Sequence, residues 1–405
     1  MRLGFQDFRG AVGPGSLTVR SAAALIVNAA LAGLVADPIG ARADELKVLP
    51  SVTVQAGVDT NPLLQVGNSK SIFIGTLSPT LKLLKRGDRV QYSLSTGADL
   101  RGYSGWDKDF TDSEQASLTA SYLATERLQT GLNASVNRAT ILDALEDNTG
   151  KFTVPARLIT TSVSPNAAFL LDPVDEIDFS GFFTDRSYNS PQLIDYQEYG
   201  GSIGFSRAMS ETDKVSVSLT TRHSEPQLAL ATKTEIYSAN LGWAHKVDVG
   251  LVATIGGGPV LIRRKSPAGF GNPPDQWGYQ VNLSVSDPID ELTDLTIDFS
   301  HQALPTGAGG VGQRNVVHLG VLRKLTPVLT LNLDGHYTHS DAHGFDTDTL
   351  DTLYDARVGL AWQLNDVSNI SLSYYHRQES FRTVSGRASS DGVFISLNRS
   401  FGRAQ

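Results

Sequence analysis

The sequence predicts an all-β fold, a transmembrane antiparallel up-and-down β-barrel of about 18 strands preceded by a cleaved signal peptide. Three observations predict it. Apolar and polar side chains alternate along most of the chain after residue 43, the connections between the alternating runs are by turns short and long, and no later stretch offers the roughly 18 consecutive apolar residues of a helical span.

The first 43 residues read as an address. Arg2, Arg9 and Arg20 precede an apolar stretch from Ala22 to Ala36 that ends near Ala41-Arg42-Ala43, the order of a secretory leader with a small-residue cleavage site. The stretch is short for a span and contains Asn28, which favours cleavage over anchoring. The expected division is therefore 1–43 signal peptide and 44–405 barrel. Without the leader the chain carries 30 basic and 40 acidic residues, and such a surface does not attract nucleic acid. The absence of cysteine excludes a disulfide framework, a thiol nucleophile and a cysteine zinc site, and suits passage through an oxidising periplasm. Abundant Gly, Ser, Thr, Asn and Asp with only two Met favour strands and tight turns over helices.

Alternation marks a strand with an apolar medium on one side and water on the other. Over 89–101, Val90, Tyr92, Leu94, Ala98 and Leu100 share one face, and Gln91, Ser93, Ser95, Asp99 and Arg101 the other. The scheme recurs at 127–138, 328–339 and 353–364. Strands are expected near 51–59, 71–83, 89–101, 113–124, 127–138, 159–171, 177–187, 198–208 and 214–223, and again near 234–245, 249–263, 276–287, 295–302, 313–323, 328–339, 353–364, 369–381 and 390–401. Short turns such as Lys85-Arg86-Gly87-Asp88 and Asp287-Pro288-Ile289-Asp290 alternate with longer polar loops such as 60–70, 139–158 and 340–352. An even count places both termini on the side of the short turns.

A soluble sandwich also alternates, because its two apolar faces meet. Strand lengths beyond the usual five or six residues favour the barrel. So do Tyr237, Trp243, Trp277, Trp362, Tyr374 and Phe401, expected near strand ends where an interfacial girdle would need them. The last strand puts Val393, Ile395, Leu397 and Phe401 on one face, like the aromatic-ended strand through which the barrel-assembly machinery recognises its clients, although Gly402-Arg403-Ala404-Gln405 follows the Phe.

Two segments carry a resemblance. Gln55-Ala56-Gly57-Val58-Asp59-Thr60-Asn61-Pro62, followed after a polar loop by Leu77-Ser78-Pro79-Thr80-Leu81, resembles the β-barrel porin 2 family of outer-membrane proteins, as does Ser373-Tyr374-Tyr375-His376-Arg377-Gln378-Glu379-Ser380 in the penultimate strand. The resemblance spans about Val52 to Phe401. It implies an outer-membrane channel and carries no catalytic residues to transfer.

Catalytic motifs present by letter lack their setting. Gly307-Ala308-Gly309-Gly310-Val311-Gly312 matches a dinucleotide fingerprint, but a strand follows where a helix is required. Gly200-Gly201-Ser202-Ile203-Gly204 matches a nucleophile elbow, yet falls inside a strand. His336, His339 and His343 with Asp341 form a histidine cluster; strand parity sends 336 and 339 to opposite faces, so a solvated loop is the expectation. No catalytic residue, cofactor or metal ligand is expected.

The constellation that matters is the wet face. Asp99, Arg101, Arg222, Asp298, Asp334, His336, Asp355, Arg357 and Arg377 all have its parity, and each would be costly against lipid at mid-depth. They are the expected lumen lining, their mixed signs arguing against a strong charge filter. The expectation is a porin-like channel in the bacterial outer membrane for passive passage of small hydrophilic solutes, with outer-membrane lipid as its surroundings and loop 139–158 dipping inward. A conduit for extracellular polysaccharide, calling for aromatic platforms in the bore, and a soluble secreted β-protein stay open as alternatives. The pattern fixes neither solute nor oligomeric state.

Overall fold

The computed structural model describes residues 45–401 apart from 63, 65, 68, 105–109, 141–156, 191–192, 229–230, 248–249, 268, 306–310, 344–349 and 382–385. The leader, most of loop 139–158, residues 307–310 of the glycine motif and the four residues after Phe401 lie outside the described residues.

Among the described residues every element is a strand. They are β1 (Glu45–Asp59), β2 (Ile72–Arg86), β3 (Val90–Ser104), β4 (Phe110–Leu123), β5 (Leu128–Thr140), β6 (Arg157–Leu170), β7 (Asp175–Tyr188), β8 (Tyr196–Ala208) and β9 (Asp213–Pro226). The second half comprises β10 (Lys233–Lys246), β11 (Val252–Lys265), β12 (Gln276–Asp290), β13 (Thr293–Pro305), β14 (Val311–Thr326), β15 (Leu329–His343), β16 (Leu350–Asn365), β17 (Ser368–Phe381) and β18 (Arg387–Ser400). Each pairs antiparallel with its neighbours in sequence, and β1 also pairs with β18 from Ser51↔Ser400 to Asp59↔Gly392. One 18-stranded sheet thus closes on itself. Closure pairs β1 on both sides over Ser51–Asp59, so the sheet has no open edge along that span.

The connections alternate as expected, two to five residues at one end and five to 16 at the other. The short ones are built by local chemistry. At 171–174 the Asp172 carboxylate accepts from the backbone N–H of Val174 and of Asp175, at 2.8 Å each, and these bonds hold its pKa below the usual carboxylate range.

The strands outrun the alternation that foretold them. At β13 the expected 295–302 grows to Thr293–Pro305, because ladder pairing continues beyond the alternating stretch, from Thr293↔Arg323 to Pro305↔Val311. The turn expected at 287–290 is strand as well: a register shift between Pro288 and Asp290 accommodates the proline and moves the turn to 291–292. Likewise β15 runs to His343, so the histidine segment expected in a loop is strand through 343.

The two faces differ as the parity required. Outward side chains include Leu219, Leu241, Ile255, Leu372 and Ile395, all exposed, with Leu241 at 61%. Inward positions on the same strands carry Ser218, Asn240, Ser373 and Ser396. Trp243, Trp277, Trp362 and Phe401 stand exposed near strand ends, while Tyr374 lies at mid-strand. At the long-loop end an outer row forms from Tyr199, His223 and Tyr237, with ring centroids 5.2 and 6.3 Å apart.

Inside the ring the connection between β1 and β2 crosses the mouth. Leu64, 2% exposed, forms one buried cluster with Leu158, Tyr188, Leu193 and Tyr196 on the β6–β8 side and Leu353 and Ala388 on the β16–β18 side. In an 18-strand ring those two walls face each other, so this loop bridges the bore.

Candidate functional site in the barrel lumen

The seam where β18 meets β1 is held by the Asp59-Thr60-Asn61 segment. Asp59, 3% exposed, accepts hydrogen bonds from the Tyr375 hydroxyl, the Ser390 hydroxyl and, at 2.8 Å, the Asn61 backbone N–H. Thr60 exchanges bonds with the backbone of Asp391, and Asn61 Nδ2 donates to the Ser389 carbonyl at 3.1 Å. Tyr375 reaches Asp59 because Gly392, register partner of both, has no side chain beneath the ring. This motif therefore anchors both the seam and the start of the bridging loop.

Beside the seam lies the main charged group. The Asp355 carboxylate, 8% exposed, accepts from Arg357 Nε and Nη2 at 3.0 and 2.8 Å and from Arg377 Nε at 2.9 Å. Two guanidinium groups on one carboxylate leave that group of three net positive. Arg377 also stands 4.6 Å from the Tyr375 ring centroid, a cation–π distance. Arg101, Arg357 and Arg377 line one cavity of about 400 Å³ together with Asp59, Tyr103, Tyr375 and Phe394. Arg101 pairs with Asp99 at 3.5 Å, and Ser113 donates to Asp99 at 3.3 Å.

A second group joins Asp298, Asp334 and His336 through His318. His318 Nδ1 lies 3.1 Å from Asp298 Oδ2 and its Nε2 lies 3.0 Å from Asp334 Oδ2, while His336 Nε2 is 2.9 Å from Asp334 Oδ1. The two imidazoles stack, centroids 4.4 Å apart and 16° from parallel. Both groups belong to one continuous row: Asp298, His318, His336, Asp355, Arg377 and Ser390 are successive register partners across β13 to β18.

Arg222 stands apart on the opposite wall. It pairs with Glu198 at 3.6 Å and lies 5.3 Å from the Phe182 ring centroid, reaching over Gly200, its own register partner and that of Phe182. A β-carbon at Gly200 would meet the Phe182 ring at 2.9 Å, so glycine is needed for the stack.

The nine residues expected in the lumen share the strand parity opposite the exposed apolar side chains, eight of them in two neighbouring regions of β3 and β13–β17 and Arg222 on β9. Sequence reasoning missed His318, Asp59, Glu198 and the inward aromatics Tyr103, Phe182, Tyr375 and Phe394. His318 was findable, since Val317 and Leu319 flank it in alternation. The aromatics were hidden because their parity is polar and only glycine partners such as Gly392 and Gly200 make room for them. Ser202 sits within β8 with its hydroxyl 2.7 Å from that of Ser180, in a flat strand and not an elbow. His339 is 3.4 Å from Thr352 Oγ1, away from the His336 group.

No family model matches the chain and no curated protein matches it. Among solved structures it is similar to the outer membrane protein OpdK of Pseudomonas aeruginosa, with 9% identity and a TM-score of 0.45, covering 88% of this chain and 99% of that one. It is also similar to the outer membrane channel DcaP of Acinetobacter baumannii, with 13% identity and a TM-score of 0.46 over 88% of this chain and 97% of that one. A third is OccK2 (OpdF) of Pseudomonas aeruginosa in complex with glucuronate, with 11% identity and a TM-score of 0.47 over 88% and 98%.

Proposed function

We propose that the chain is a bacterial outer-membrane channel of the porin type, admitting small hydrophilic solutes by passive diffusion. The observation that carries this reading is the segregation of one closed 18-stranded sheet into an outer face with a band of exposed apolar side chains and a charged, hydrogen-bonding inner face. A charge on the lipid face costs about 2–4 kcal/mol at mid-depth, and such a residue faces water at no comparable cost. Eighteen strands enclose a bore wider than side chains alone fill.

The resemblance of the Asp59-Thr60-Asn61 and Ser373–Ser380 segments to the β-barrel porin 2 family supports the same reading. Assembly would follow from recognition of β18 by the barrel-assembly machinery. The role is transport, with the inner-wall ions as candidates for setting selectivity: Arg101, Arg357 and Arg377 favour anions on one wall, and Asp298, Asp334 and Asp99 temper them.

Purified mature chain added to a planar bilayer tests the proposal. Stepwise conductance increases of uniform size are expected; a protein that inserts, shows heat-modifiable gel mobility and yet carries no current would overturn the channel.

A further inference from the structure

We propose that His318, His336 and Asp334 form a binding site on the inner wall for a first-row divalent transition ion of the zinc class. One ligand atom from each of the three residues can be chosen so that all lie within 4.8 Å of one another. They come from adjacent strands in fixed register, His318↔His336 and Gly320↔Asp334, so their spacing is set by the ladder and not by loop conformation.

The hydrogen bonding around His318 points to a cation. Both ring nitrogens face carboxylate oxygens, Asp298 at 3.1 Å and Asp334 at 3.0 Å. A neutral imidazole has one N–H, and a carboxylate has none to offer, so one of the two contacts lacks a hydrogen. With the proton on Nδ1, held by Asp298, the bare Nε2 lone pair and the Asp334 oxygen point at each other; a metal ion between them turns that repulsion into two bonds. Asp298 then plays the supporting part common around metal-bound histidine, a carboxylate that fixes the tautomer and orients the ring.

The alternative way to satisfy His318 is a second proton. His336 stacks on His318 at 4.4 Å and aims Nε2 at Asp334, 2.9 Å away, a contact that one N–H on a neutral ring satisfies, so the second proton would fall on His318 alone, whereas a metal ion would draw on the Nε2 lone pairs of both rings. One divalent ion serves both rings and the carboxylate at once. The other charged groups packed here are Asp355, register partner of His336, and Arg357, register partner of Asp334, whose Nε and Nη2 are directed at Asp355.

Two imidazole nitrogens and one carboxylate oxygen select the zinc, nickel or copper type of ion over magnesium or calcium, which prefer all-oxygen sites. The inner-wall position leaves the remaining coordination positions to water from the bore. The expectation of no metal ligands weighed His336, His339 and His343 with Asp341 along one strand; the proposed partner, His318, lies across the ladder.

The test is isothermal titration calorimetry of the tag-free barrel in detergent, titrated with zinc chloride and, separately, with magnesium chloride. One zinc ion per chain and no magnesium heat are expected. The His318→Ala/His336→Ala variant should lose the site, and Asp298→Asn, which keeps all three ligands, should weaken it by about tenfold or more. Circular dichroism and heat-modifiable mobility show that each variant is folded; should the double variant fail to fold, Asp298→Asn and His336→Gln read the same site singly. Cobalt substituted for zinc should give a visible d–d absorption band that Asp298→Asn shifts. Wild-type protein without zinc heat, or folded variants that bind zinc as wild type does, would overturn the site. Because binding is read without current, this outcome is independent of whether the barrel conducts.

Discussion

Tyr375 on β17 reaches over Gly392 on β18 to donate its hydroxyl hydrogen to Asp59 on β1, tying together two strands that do not pair with each other. The β18–β1 junction joins the two ends of the chain and is the last ladder that a growing sheet can close. Asp59→Ala strands the donors of Tyr375, Ser390 and Asn61 in a buried place, at a cost of about 3 kcal/mol. The temperature at which gel mobility shifts in detergent should fall by several degrees, whereas Asp59→Asn, which keeps one acceptor, should fall less. Equal behaviour of both variants and wild type would remove the seam lock from this account.

Glu379 offers a prediction of the opposite sign. Its side chain is 0% exposed, neither carboxyl oxygen has a hydrogen-bond partner among the described residues, and its register partners Leu353 and Ala388 belong to the apolar cluster around Leu64. Replacing a desolvated, unpaired carboxyl by a hydrocarbon of similar size stabilises by about 1–3 kcal/mol. Glu379→Leu should therefore unfold at higher denaturant than wild type, with Glu379→Gln between them. A lower midpoint for the leucine variant would contradict the burial described for this group.

The bridging loop makes a prediction about current. Leu64 is the apolar plug of that loop, and an aspartate there cannot remain among Leu158, Leu193 and Leu353 without losing its hydration. Leu64→Asp should undock the loop and raise single-channel conductance while leaving barrel stability close to wild type. Unchanged conductance would place the narrowest part of the pathway elsewhere.

Selectivity should follow the Asp355 group. With Arg357 and Arg377 sharing one carboxylate, this group is net positive, and Arg357→Ala/Arg377→Ala reverses its sign. The reversal potential in a potassium chloride gradient should move toward cation preference in that variant and toward anion preference in Asp355→Asn. The same reversal potential in all three proteins would exclude this group from the conduction path.

The architecture was legible because a strand between an apolar and an aqueous medium carries a period of two, and a charge such as Asp298 or Arg222 on the apolar side would be too costly to escape notice. Strand count, parity and the alternation of turns and loops all follow from that constraint. What escaped depends on pairs far apart in sequence. Nothing local to Asp59 announces Tyr375, 316 residues away, and nothing along β15 shows that His336 faces His318 and not His339. Strand ends escaped for a related reason: beyond the apolar band the ladder persists while the alternation stops, as at Thr293 and Pro305.

Under the channel reading, successive residues of one strand face different media, and a chain without cysteine allows this to be read directly. Single substitutions Ser218→Cys and Leu219→Cys place one thiol on either face of β9, where Leu219 is 57% exposed and outward. In native outer membranes a water-soluble, membrane-impermeant maleimide should label Ser218→Cys and leave Leu219→Cys unmodified until detergent and denaturant are added. Equal labelling of the two, or labelling of Leu219→Cys alone, would contradict the barrel as a lipid-embedded ring around water.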